Sequence, residues 1–236
     1  MSRTCSWPAL AAGGLFAAAL WLALDAGNGS AAALLTGAAL LGLGLAAWER
    51  GSGGAREVAL VAAIGAAAAA GRVLFGPVPS VKPVTVIVAC AGIALGARAG
   101  TAVAAVAVLV SNGFLGHGPW TPWQILGWGL VGVSAAGLAP LLRKRAALIV
   151  FCAAWGLLYG ALLNFWDMLA FAPQASLETW LALETRGLPF DVAHAAGNVV
   201  MAAVAGPVLI RMFDRFGRRL HHEIVDAEPA GDVARL

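Results

Sequence analysis

An all-α, polytopic membrane helix bundle is the fold class this chain predicts, and three observations predict it. Hydrophobic residues fill 61% of the 236 positions and charged residues only 11%, against roughly 25% charged in an ordinary soluble domain. Eight apolar stretches can be drawn, at about residues 8–25, 31–48, 57–75, 84–97, 99–116, 123–142, 146–171 and 191–213, and most reach the roughly 20 residues that a spanning helix needs. Twelve of the fifteen Lys and Arg residues fall on alternate connections between those stretches, which is the signature of loops retained on one side of a membrane.

Taken in order, residues 8–25 and 31–48 carry almost no polar group and are dominated by Ala, Gly and Leu. They read as an N-terminal accessory hairpin over residues 1–50. The first stretch resembles a secretory signal in composition, but immediate re-entry of the chain into the membrane favours a retained helix. A polar, Gly-rich connection from Glu49 to Arg56 separates this hairpin from a six-helix core at 57–213. Residues 214–236 form a polar tail containing His221 and His222, expected to be short and mobile on the cytoplasmic side.

Within the core, Ala62, Ala66 and Ala70 make one small-residue stripe, beside a second at Ala63, Ala67 and Gly71. Small side chains at this spacing let another helix approach closely, either inside the bundle or from a separate subunit. The connection from Phe75 to Pro83 holds Pro77, Pro79 and Pro83, so it is stiff and suited to act as a lid. Arg72 and Lys82 flank it; Arg72 either snorkels to the interface or contacts a ligand, and Lys82 reads as an interfacial anchor. Residues 84–97 are a short apolar stretch, and Gly96 to Gly100 mark a tight helical hairpin after it.

With the N-terminus inside, Arg3, Arg50, Arg56, Arg98, Arg143, Lys144, Arg145, Arg211, Arg215, Arg218, Arg219 and Arg235 are cytoplasmic. Only Arg72, Lys82 and Arg186 are left outside, so both termini are expected in the cytoplasm and the chain in the plasma membrane. This basic rim faces anionic lipid headgroups and accounts for the net charge of +3 without a nucleic-acid partner. Cys5, Cys90 and Cys152 have neither disulfide nor metal spacing.

The most distinctive segment is Gly116-His117-Gly118-Pro119-Trp120-Thr121-Pro122-Trp123-Gln124. Pro and Gly interrupt the helices, two Trp suit the membrane boundary, and His and Gln bring hydrogen-bonding groups. Other polar residues fall at the same outer depth: Ser111 and Asn112, then Asn164 and Asp167, then Asp191, His194 and Asn198. The last three follow an i, i+3, i+7 spacing and share one helix face. Polar groups inside a membrane are expensive unless partnered or functional, and their common depth suggests a cup open to the outside. Candidate solute contacts are Arg72, Asn112, His117, Trp120, Trp123, Gln124, Asn164, His194 and Asn198, with Pro77, Pro79 and Lys82 in the lid. Trp128 and Trp166 fit an aromatic belt as well as they fit stacking on a planar ligand ring.

No phosphate loop, His-Glu-x-x-His pair or Gly-x-Ser-x-Gly elbow is present. No catalytic residue, metal ligand or cofactor is therefore assigned, and the chain is not expected to be an enzyme. Two alternatives stand beside solute capture. One is a self-sufficient ion-coupled carrier; the other is an intramembrane enzyme using Asp167, Asp191 and His194.

Residues 57–213 resemble the substrate-binding S component of energy-coupling factor (ECF) vitamin transporters. The resemblance rests on the Ala62, Ala66 and Ala70 stripe, the Arg72 to Pro83 loop, the Gly92 to Gly100 hairpin and above all Ser111-Asn112 through Gln124. It covers about two thirds of the chain and leaves the two leading helices outside the usual six-helix core. It implies capture of a vitamin or related micronutrient, and Trp rings able to stack on a planar ligand, with polar side chains for its edge, make a cobalamin-type or other vitamin-like solute the expectation. It further implies a transmembrane coupling subunit docked on Ala62, Ala66 and Ala70, two cytoplasmic ATPase subunits that use the ATP, and the Gly76 to Lys82 loop as lid.

Overall fold

The structure, a computed structural model, describes residues 54–227 and the isolated positions 14, 18 and 35, with the backbone alone given from 220 to 227. The expected N-terminal hairpin and the end of the polar tail lie outside the described residues. Among those described there are eight helices and no strand: α1 (Ala55–Leu74), α2 (Val84–Leu95), α3 (Ala97–Leu115), α4 (Thr121–Gly137), α5 (Ala139–Leu142), α6 (Arg145–Phe171), α7 (Leu177–Val204) and α8 (Gly206–Ala227). The described residues form an all-helical bundle of membrane type.

Four of these helices, α1, α3, α6 and α7, are long and apolar enough to cross a bilayer. The stretch at 84–97 was expected to be short and α2 has 12 residues, whereas the stretch at 123–142 was long enough to span but divides into α4, with 17 residues, and the single turn α5. At 1.5 Å per residue α2 and α4 reach about 18 and 26 Å, short of the roughly 30 Å hydrocarbon layer. Shortness suits α2 to an internal position: nine of its twelve residues are buried, among them Val84, Val86, Val88 and Ile93. It packs against α3, α4 and α8.

Apolar side chains also point outward. Leu74, Phe114, Val150, Leu177 and Val204 are each more than 65% exposed, and smaller exposed aliphatics continue the surface along α4, α6 and α7. An aqueous protein rarely shows so extensive an apolar exterior, whereas lipid solvates it.

Turns follow local chemistry. Between α2 and α3 the chain reverses on Gly96 alone, at φ 90°, a region that L side chains avoid. Beyond that turn, α3 and α4 touch backbone to backbone: a Cβ on Gly132 would stand 2.7 Å from the carbonyl carbon of Gly100. Pro140 falls in the first turn of α5, where its missing N–H breaks no helical bond. The Ser176 hydroxyl caps α7 by accepting from the Thr179 N–H at 3.1 Å.

The C-terminal third departs from expectation. One helix was expected at 191–213 followed by a polar tail; instead α7 begins at Leu177, passes through Pro189 and stops at Val204, and α8 continues through Ala227. The stop lies at Gly206-Pro207, since Pro207 cannot donate the bond that would extend α7 and its ring crowds the preceding turn. A Cβ on Gly206 would also meet Leu148 Cδ2 at 2.5 Å, so the turn sits tightly on α6. Asp191, His194 and Asn198 thus occupy the second half of a 28-residue helix instead of its first turns.

Helices α6 and α7 form the most extensively packed pair. Contact is close because Gly156 faces Ala195 and Gly160 faces the Asp191 carboxyl group.

Candidate functional site

The end of α1, the end of α3 and the start of α4 meet in a buried polar network. Arg72, in the last turn of α1, is 7% exposed. Its Nη1 donates to Ser111 Oγ at 2.6 Å and to Asn112 Oδ1 at 2.5 Å. The Ser111 hydroxyl donates to the Ala107 carbonyl at 2.6 Å, which leaves its oxygen lone pairs free to accept from Arg72. Asn112 spends both amide protons on α4, donating to Thr121 Oγ1 at 3.0 Å and Gln124 Oε1 at 2.9 Å. The amide is thus fixed with its oxygen toward the guanidinium.

Trp128, the eighth residue of α4 and 2% exposed, joins this network to a second half. The Arg72 Cζ lies 5.1 Å from its ring centroid, within cation–π range. Its Nε1 donates to Thr85 Oγ1 at 3.0 Å, and the same hydroxyl is 3.1 Å from His194 Nε2, with the imidazole tautomer setting the direction of that bond. Tyr159 stacks on Trp128 at 4.4 Å and meets His194 edge-on at 5.5 Å. Its hydroxyl is enclosed with no hydrogen-bond partner among the described residues. Arg72, Asn112, Gln124 and His194 from the sequence reading are therefore parts of one connected constellation spanning α1, α2, α3, α4, α6 and α7.

Asn198 lies one turn beyond His194 and donates to the Cys152 carbonyl at 2.9 Å, tying α7 to α6. Asn164 is not in the constellation; it donates to Glu184 Oε1 at 3.2 Å. Asp167, Asp191 and His194 do not assemble a metal-binding group, and among the described residues no cluster of three or more His, Cys, Asp or Glu side chains does so.

The segment 116–124 divides. Gln124 and Thr121 face the network, but His117 is exposed and outside it. Trp120 lies 6.2 Å from Trp166, and Trp123 lies 6.4 Å from Phe165, in a separate aromatic cluster between α4 and α6. The turn itself closes through Thr121 N–H to the Gly118 carbonyl at 2.9 Å, with the Trp120 ring lying directly over Gly118.

The 75–83 connection is internally braced by Lys82, whose Nζ donates to the carbonyls of Phe75 at 2.7 Å, Val78 at 3.1 Å and Gly76 at 3.4 Å. Pro77 and Pro79 are exposed upon it. Partial burial, and then the positive charge of Arg72, hold the Lys82 amine below its usual range. At the opposite end of α1, Glu57 pairs with Arg98 at 3.8 Å, and Arg143 pairs with Asp214 at 2.7 Å. Ala62, Ala66 and Ala70 are exposed, so their stripe is not used for packing within the described bundle.

Thr85 and Tyr159 were missed by sequence reasoning, and Thr121 lay within the distinctive 116–124 segment without being given a role of its own. Two signals were available: Tyr159 is the single Tyr of the chain, and Thr85 is the one hydroxyl residue in α2. No protein-family model, curated protein or solved structure matches this chain.

Proposed function

We propose that this membrane protein is the solute-capture S component of an ECF-type importer, taking up a vitamin or related micronutrient across the plasma membrane. A cobalamin-type or other vitamin-like ligand is the particular expectation within that class. The observation that carries the reading is the Arg72–Asn112–Gln124 network with Trp128, Thr85 and His194 attached: a set of desolvated polar groups gathered at one end of an apolar bundle. Hydrogen bonds alone would not require a cation at that depth, because neutral side chains would join the helices without the desolvation penalty of a charge.

Two further features support the division of labour. The exposed Ala62, Ala66 and Ala70 stripe offers a flat face on which a transmembrane coupling subunit docks. Its helix carries Arg72 in its last turn and leads into the Lys82-braced loop, so the docking face and the capture site share α1. Two ATPase subunits supply the energy in this arrangement, with the network facing outward and the Arg98 and Arg143 end facing the cytoplasm.

Expression with a coupling subunit and ATPase subunits tests the reading. Copurification of the assembly, and its loss in Ala66→Leu without loss of thermal stability, is the expected result. Solute accumulation by the purified chain alone in proteoliposomes lacking ATP would replace the S component with an ion-coupled carrier.

A further inference from the structure

Among the described residues, the guanidinium of Arg72 is only half used. Both of its hydrogen bonds leave from Nη1, and both acceptors are neutral oxygens, those of Ser111 and Asn112. Nε and Nη2 have no acceptor among the described residues, and no carboxylate pairs with the charge. Among the described residues the enclosed atoms that go unpaired belong to other side chains, Tyr159 and Asn198 among them, and neither of these two nitrogens is one of them. Those two nitrogens form the edge of the guanidinium that receives two oxygens in parallel.

We propose that Arg72 is an oxyanion anchor: its Nε–Nη2 edge takes two oxygens of a carboxylate or phosphate group on the captured solute, while Ser111, Asn112 and Trp128 hold the guanidinium in place. The word solute rests on the capture reading above; the oxyanion chemistry does not.

Three features argue for it. A residue 93% removed from solvent at the end of a membrane helix keeps its charge at a large desolvation cost unless an anion accompanies it. Snorkelling, the ordinary fate of an interfacial Arg, would extend the side chain outward, whereas Arg72 turns inward onto Ser111, Asn112 and the Trp128 face. Lys82 adds a second cation close enough for its own charge to be opposed by that of Arg72. Its ammonium is taken up by three loop carbonyls, which leaves the fork geometry to Arg72. Pre-set orientation matters because a fixed fork gives up little side-chain entropy when the anion arrives.

The test uses the full chain in phosphatidylcholine nanodiscs and follows thermal unfolding in sodium acetate, sodium phosphate and sodium chloride at equal ionic strength. Acetate or phosphate is expected to raise Tm by about 3 °C over chloride in the wild type, with no difference among the salts in Arg72→Gln, which keeps a donor but loses the charge and the fork. A larger rise in acetate assigns a carboxylate; a larger rise in phosphate assigns a phosphate ester. Equal Tm in all three salts for the wild type overturns the proposal, as does a salt effect that persists in Arg72→Gln. An Arg72-dependent rise seen only on exchange to phosphatidylglycerol nanodiscs overturns the solute assignment in favour of a lipid headgroup. If Arg72→Gln does not fold, Arg72→Lys decides, because a wild-type acetate shift in that variant overturns the need for a fork. These measurements require no partner subunit, so they succeed or fail independently of ATPase copurification.

Discussion

Asn112 stands between Arg72 and Gln124, accepting from the guanidinium at 2.5 Å through Oδ1 and donating to Gln124 Oε1 at 2.9 Å through Nδ2. One amide thus orients a buried cation and fastens the end of α3 to the start of α4. Replacing it with a group of similar size separates those roles. Asn112→Leu leaves Nη1 with Ser111 alone and deprives Thr121 and Gln124 of their donor, and a loss of roughly 2–4 kcal/mol is expected. Asn112→Asp supplies the missing negative charge from within. It loses the same donor to Thr121 and Gln124, so its thermal unfolding is expected between that of Asn112→Leu and that of the wild type, with solute uptake abolished because the guanidinium is already neutralised. A fall in Tm for Asn112→Asp equal to that of Asn112→Leu would mean that Arg72 is not an uncompensated charge.

The helix contacts behind this network make a sharper prediction about stability. Gly132→Ala places a methyl group 2.7 Å from the Gly100 carbonyl carbon and 3.0 Å from its Cα. Backbone cannot move aside as a flexible side chain does, so α3 and α4 must separate, at an expected cost of about 1–3 kcal/mol. Gly113→Ala is the matched control, because nothing lies within 4 Å of a Cβ at that position. It is expected to be neutral or slightly stabilising, through the better helix propensity of Ala. Comparing the two variants by thermal unfolding in the same detergent separates close approach from a general dependence on glycine.

How much of this was legible beforehand depends on what each residue's neighbours are. Arg72, Asn112 and Gln124 stood out because polar residues are few in such a chain and these fall at one depth, so a common meeting point followed from topology alone. His117, Trp120 and Trp123 stood out equally as composition, yet composition does not tell which face of a turn an indole takes. Trp123 rotates onto Phe165 of α6, a partner 42 positions away that no local pattern specifies. The Val204 and Gly206 boundary was hidden for a related reason: apolar residues continue across it, and only Pro207 marks the break. Tyr159 and Thr85 looked like ordinary members of apolar runs, and their place beside Trp128 and His194 comes from long-range packing.

Trp123 and Gln124 are neighbours in sequence with different expected phenotypes. Trp123 is 3% exposed and packs in the α4–α6 aromatic cluster, so Trp123→Ala is expected to destabilise by about 3–5 kcal/mol. Gln124→Ala removes one acceptor at the edge of the network and is expected to lower stability by about 1 kcal/mol, with a larger proportional loss of solute uptake. Parallel measurement of Tm and uptake distinguishes them. Equal losses of both quantities in the two variants would assign Gln124 to the scaffold as well.

At the other end of the bundle, Arg143 donates to both Asp214 oxygens, at 2.7 and 3.0 Å, and clamps the end of α5 to α8. The hydrogen bond from Arg143 holds the Asp214 carboxyl below the usual carboxylate range, and the guanidinium and Arg218 charges add to it. A depressed folded-state value means that this contribution is fully present above the unfolded value of about 3.9 and is lost as pH falls through the folded one. The pair is partly exposed, the Arg143 side chain at 47%, so solvent screening keeps it to about 1 kcal/mol or less. Wild type is therefore expected to unfold slightly above Asp214→Asn at pH 6, and the gap is expected to close as pH falls below the unfolded value of about 3.9 and through the lower folded one. High salt is expected to narrow the pH 6 gap as well, since an exposed pair is screened. A gap that widens on acidification would show that Asp214 acts in α8 through something other than its charge.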